Sequence, residues 1–324
     1  MHSHALRWLL VTAAVGYLVP ISYGSGFEDD FSTDPFARWS IADGPGEGFG
    51  DNSNAQIAYD GTAHELLVHY DSSQLTVRLQ RSLEAVLTPD RAFKFSAVLR
   101  IDSLIAPPED FMQVCVALTN SDTTGGVRAG ASIQSANTFD NLELAYFPNT
   151  SIFGGPFVTL SVQGSPQGAE HAFAHFGFTS NETALPVGEP MEWRGAYTPV
   201  DRLVHFRTSS GVQLTQSLDA GGFFDPPGTF SVDTFAITSY FDGADLTPPS
   251  VSLLADVAYL HVSWLRCGDA DADEDIDLAD AAAAQNCFGQ TVADRPECDA
   301  ADFDDDGTVA IPDHASFAAV MTGP

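Results

Sequence analysis

Two short acidic stretches near the C-terminus carry the clearest chemistry in this sequence. The first spans residues 269–280 and sets Asp269, Asp271, Asp273 and Asp280 at positions 1, 3, 5 and 12. The second spans residues 302–313 and sets Asp302, Asp304, Asp306 and Asp313 at the same four positions. A β-branched residue follows at position 8 of each, Ile276 and Val309. Calcium is a hard cation that takes about six to eight oxygens at roughly 2.3–2.6 Å. Alternate side chains of a tight loop reach one such ion. The carbonyl at position 7, from Asp275 or Thr308, adds an oxygen, and the position-12 carboxylate closes the shell. Asp277 at position 9 of the first loop is a further candidate ligand. Gly307 suits the sharp turn at position 6, whereas Glu274 stands there in the first loop, at a steric cost. Two calcium sites are therefore expected. A solvated acidic tail is the plainer alternative, but it would not repeat its spacing and then turn apolar twice.

These loops must be held by the elements around them. An apolar stretch follows each loop, but Leu265 to Gly268 is too short for a helix before the first. The closing residue is Asp rather than the Glu of an ordinary EF-hand. This doubled loop-helix pattern resembles a type I dockerin over residues 267–324, a small α-helical, EF-hand-like domain. The resemblance implies that calcium folds the module and that one face docks on a cohesin-like domain of another extracellular protein. It also implies that positions 10 and 11 choose the partner. Here they are Leu278-Ala279 and Ile311-Pro312, not the hydroxyl pair common in cellulosomal dockerins. The apolar pairs point to another partner or to packing within the chain.

The net charge is −31, and 15 of the 44 acidic residues lie in the last 58 positions. Nucleic acid is excluded as a partner, because phosphate contacts need basic charge. The N-terminal 1–24 reads as a signal peptide with Arg7 ahead of the apolar Trp8–Val19 and small residues near Gly24. About 12 apolar residues are short for a span, which needs about 20. A secreted or cell-surface protein without a membrane span in its mature form is expected. The four cysteines suit an oxidising compartment and allow three pairings. Cys287 with Cys298 is the preferred bridge across the linker between the repeats. Cys115, between Val114 and Val116, is expected as a buried thiol.

Residues 25–264 alternate apolar and polar in about a dozen short runs, as in Phe93, Phe95, Ala97, Leu99 and Ile101. That period predicts a mainly β sandwich. Strand number and the opening Phe27-Glu28-Asp29-Asp30-Phe31 resemble a concanavalin A-like (laminin-G-like) jelly roll. In such folds the first and last strands often pair, which would set Asp30 near Asp256. Glycoside hydrolysis needs two facing carboxylates. The Glu-x-Asp-x-x-Glu strand of laminarinase-type enzymes is absent, and Glu143 stands nearly alone. Sugar binding needs less: an exposed ring and a few polar groups. Tyr146, Trp193 and Tyr240 are candidate carbohydrate contacts. The expected function is a non-catalytic recognition sandwich with an attachment module, and the dockerin resemblance implies extracellular polysaccharide breakdown as its setting. A glycoside hydrolase acting on a polysaccharide and a purely structural surface protein are the alternatives.

Overall fold

The structure is a computed structural model that describes residues 26–41, 57–71, 78–106, 112–122, 140–148, 155–164, 176–220, 225–241, 254–270 and 275–321. The N-terminal 1–24 therefore lies outside the described residues. Fifteen strands occur among them: β1 (Gly26–Asp29), β2 (Ser40–Ile41), β3 (Ile57–Asp60), β4 (Glu65–Asp71), β5 (Arg78–Leu87), β6 (Phe93–Ile105), β7 (Met112–Thr119) and β8 (Asn141–Phe147). The rest are β9 (Phe157–Gln163), β10 (Phe176–Glu182), β11 (Pro190–Thr198), β12 (Leu203–Thr208), β13 (Gln213–Ser217), β14 (Val232–Phe241) and β15 (Leu254–Arg266).

They form two antiparallel sheets. The first runs β13-β12-β11-β6-β15-β4-β3, with β1 also paired to β15. The second runs β10-β9-β8-β7-β14-β5-β2. Alternation decides which side chains meet between them. Phe93, Phe95, Ala97, Leu99 and Ile101 of β6 all point inward and are buried. Phe95 meets Phe235 of the opposite sheet edge to face at 6.5 Å. Phe93, Tyr197 and Phe230 form a second aromatic knot. Gly195 lets β11 pass this core, since a Cβ there would lie 2.4 Å from the Phe95 ring.

The first and last strands do pair, but in a register that separates the two acids. Asp29 faces Val262, so Asp30 lies beside His261 and about 17 Å of strand rise from Asp256. Asp256 instead accepts from Ser103 and bonds the His69 ring. Asp29 is the buried acid here. Arg38 Nη2 donates to it at 2.9 Å, Trp39 Nε1 at 2.8 Å and Arg81 Nη1 at 3.1 Å.

The last strand runs two residues past Trp264 and leads straight into the C-terminal module. This holds α1 (Leu278–Cys287), a short 3-10 turn (Pro296–Ala301) and α2 (Ile311–Val320). Its small core gathers Cys267, Ile276, Phe303, Phe317 and Val320 around Ala92 of the sandwich. Cys267 N donates to the Ala92 carbonyl at 3.1 Å. Cys287 is disulfide-bonded to Cys298, and Cys115 and Cys267 are buried thiols outside that bridge. No helix among the described residues is long and apolar enough to cross a membrane.

Candidate metal centre

Both acidic loops close in the same way. The position-12 carboxylates are buried. Asp280 accepts the position-2 amide of Ala270 at 2.6 Å and the position-9 amide of Asp277 at 2.9 Å. Asp313 accepts the equivalent amides of Phe303 at 2.6 Å and Ala310 at 2.8 Å. Each carboxylate thus staples the first turn of its helix to the start of its loop. Asp277 also caps α1 through Ala279 N. The position-8 residues Ile276 and Val309 are buried. Gly307 takes φ +89°, where a side chain would be strained, as its place in the loop demands.

The second loop is wholly described. Carboxylate oxygens of Asp302, Asp304 and Asp313 lie within 4.8 Å of one another. Burial, with Asp313 and Asp306 close by, pushes the Asp304 carboxyl up to about 6. Burial also raises Asp302, although Lys94 opposes it. Like charges held this close are costly unless a cation joins them. Asp306 is exposed at the loop rim and accepts Thr308 N at 2.8 Å. The donors are all oxygens, which fits a hard divalent cation. In the first loop carboxylate oxygens of Asp275, Asp277 and Asp280 converge, from positions 7, 9 and 12 rather than 1, 3 and 12, and Asp269 is buried. Asp271 and Asp273 lie outside the described residues.

One side of the second loop meets a basic row on the sandwich. Lys94 of β6 is 4 % exposed at its side chain, and its ammonium lies 3.0 Å from Asp299 Oδ1, 3.2 Å from Asp305 Oδ1 and 3.4 Å from Asp302 Oδ2. It also donates to the Asp299 carbonyl at 3.1 Å. Arg194 of β11 reaches Asp299 and Asp305, and Arg207 of β12 reaches Asp305 at 2.8 Å. The sheet order places these strands side by side, with Arg194 opposite Arg207. Burial alone would lower the Lys94 pKa, but the three acids hold it above the ordinary lysine range. Sequence periodicity missed this contact. The available signal was compositional, because Lys94 is the single lysine among 324 residues.

The position-10 side chains stand largely open among the described residues. Leu278 is 63 % exposed and Ile311 75 %. Ala279 and Pro312 beside them are exposed too. The aromatic candidates fare differently. Tyr146 is 1 % exposed and Trp193 is fully buried, because their strand parity turns them inward with Leu144 and Tyr197. Neither offers a ring to a sugar. The Tyr240 side chain lies outside the described residues.

The outer face of the second sheet mixes an apolar cluster of Cys115, Ala117, Ala145 and Phe147 with polar side chains. Gln113, Asn141, Glu143, Thr159, Ser161 and Gln163 share it and are buried. Asn141 Nδ2 donates to Glu143 at 2.7 Å and Gln113 Nε2 at 3.3 Å. At the sheet edge Phe176 and Phe178 stack at 6.1 Å on the same face, beside Gln163 and Ser161.

No family model matches this chain, and no curated protein does. Solved structures with a similar arrangement include the carbohydrate recognition domain of Emp47p, at TM-score 0.43 and 12% identity over 75% of this chain and 95% of that one. A family 16 glycoside hydrolase endo-glucanase from Bacteroides ovatus gives TM-score 0.45 and 12% identity over 74% and 99%. A marine PL7 alginate lyase from Zobellia galactanivorans gives 0.41 and 14% over 71% and 95%. These likenesses are too weak to support an assignment. The chain's own strand order shows a two-sheet β-sandwich joined to a small helical module, and no family follows from it.

Proposed function

We propose that this is an exported calcium-binding protein in which a non-catalytic β-sandwich recognises carbohydrate and a dockerin-like module attaches it to another extracellular protein. The reading rests on one observation above all: two loops 33 residues apart close through the same pair of hydrogen bonds, and the second converges three carboxylates. Asp302, Asp304, Asp306 and Asp313, with the Thr308 carbonyl, would hold one ion. Asp269, Asp271, Asp273, Asp275, Asp277 and Asp280 would hold the other. A bound cation would relieve the repulsion among these acids and so favour the folded module. The exposed Leu278-Ala279 and Ile311-Pro312 pairs then suit a cohesin-like or other protein partner. The partly open Phe176 and Phe178 rings at the edge of the second sheet suit a polysaccharide.

Calorimetric titration of calcium into the chelator-treated full chain tests the metal reading. Two binding events are expected, and Asp304→Asn should remove one. No heat in the wild type sinks the proposal.

Hydrolysis of glycosidic bonds is less well supported. It needs two carboxyl groups no more than about 10 Å apart. Among the described residues of the second sheet's outer face, Glu182 lies two strands and four residues from Glu143, roughly 16 Å away by strand spacing and rise. Release of reducing sugar from a polysaccharide by the purified protein would reverse this judgement.

A further inference from the structure

We infer that Lys94 is a built-in cation of the second calcium loop, sharing Asp302 with the metal and setting that site's affinity from the sandwich side. The inference rests on the calcium reading above. Asp299, Asp302 and Asp305 bring carboxylate oxygens within 4.8 Å of one another, the spacing of a metal-binding group. The Lys94 ammonium lies against all three. A lysine head is a compact point charge with three donors, so it fills a small oxygen pocket as an ion would. Asp302 therefore belongs to two groups at once, this one and the Asp302–Asp304–Asp313 cluster.

Charge sets the direction of the coupling. Lys94, Arg194 and Arg207 face Asp299, Asp302 and Asp305, three charges against three. Asp304, Asp306 and Asp313 remain to answer the metal. Calcium entering beside Asp302 meets a positive ammonium already 3.4 Å from the same carboxylate. The two cations oppose each other, and Lys94 weakens the site. Linkage makes this reciprocal: calcium loosens the Lys94 contact by the factor by which Lys94 weakens calcium. The seating of the module on the sheet thus responds to calcium. This role differs from simple structural burial, because it predicts that removing a stabilising ion pair tightens a ligand.

The test is calcium titration of the full chain with Lys94→Gln, which removes the charge and keeps a polar side chain. Asp304→Asn identifies the second-loop step. Lys94→Gln should tighten that step about five-fold or more, the lower end of ordinary coupling, and Lys94→Arg should leave it within about two-fold. An unchanged or weaker dissociation constant in Lys94→Gln overturns the inference. A second measurement needs no variant at Lys94. With one lysine in the chain, lysine labelled with 15N at Nζ gives a single side-chain resonance. That resonance should move as the second loop fills and stay still in Asp304→Asn; a signal indifferent to calcium in the wild type also overturns it. Failure of the calcium reading itself is distinguishable, since the wild type would then show no heat at all.

Discussion

Single carboxylates in this protein do opposite jobs, set by what surrounds them. Asp29 is buried, which alone would raise its pKa, but hydrogen bonds from Arg38, Trp39 and Phe31 N outweigh that and hold it below the ordinary value of 3.8. A depressed carboxylate stabilises the fold above its unfolded pKa and stops doing so as pH falls through its folded one. Asp29→Asn leaves Arg38 and Arg81 without their charge partner and should cost about 3 kcal/mol in denaturant unfolding. The loss should shrink as pH drops below about 4. Asp304 runs the other way. Its folded carboxyl is raised from 3.8 to about 6, so without metal its contribution is full below about 4 and is lost as pH rises through about 6. Thermal melts in EDTA should therefore show the module weakening between pH 4 and pH 6. Saturating calcium should abolish that fall; a flat EDTA profile would count against the crowded loop.

At the scale of elements, alternation was a sound guide where strands were long and apolar. The run from Phe93 to Ile101 became the central strand β6, which extends to Ile105. The short polar β13 and the four-residue β3 were not legible, because pairing with neighbours rather than composition makes them strands. The alternating stretch 129–133 lies outside the described residues. Parity also misled: it correctly groups Trp193 with Tyr197 on one face but cannot say that the face is the core. The edge strand β10 is where an aromatic face remains partly open, with Phe178 37 % exposed. A stacking ring contributes about 1 kcal/mol or more beyond its area. Phe178→Ala should reduce retention on an insoluble glycan column several-fold with the melting temperature little changed. Equal retention would place recognition elsewhere.

The whole molecule is strongly acidic, yet its few basic side chains are not spread evenly. The single lysine and two of the twelve arginines meet one acidic turn of the module, and this binds the two parts face to face. A chain ending at residue 266 would strand Lys94, Arg194 and Arg207 and uncover Ala92. It should melt about 5 °C lower than the sandwich transition of the intact protein, as a loss of about 2 kcal/mol implies for this size. Coincident melts would mean that the latch carries no net stability, as ion pairs sometimes do.

Spacing along the chain was enough to mark the paired acidic loops and the β-rich body, and it favoured Cys287–Cys298 among three possible bridges. Those features are local: a loop of twelve residues, a short linker or an alternating run meets its own neighbours whatever the rest does. The meeting of Lys94 with Asp302 joins residues 208 positions apart, and the inward turn of Tyr146 and Trp193 depends on which sheet face met which. Only the packing of distant strands decides such contacts, because burial and charge pairing depend on what arrives from elsewhere in the chain.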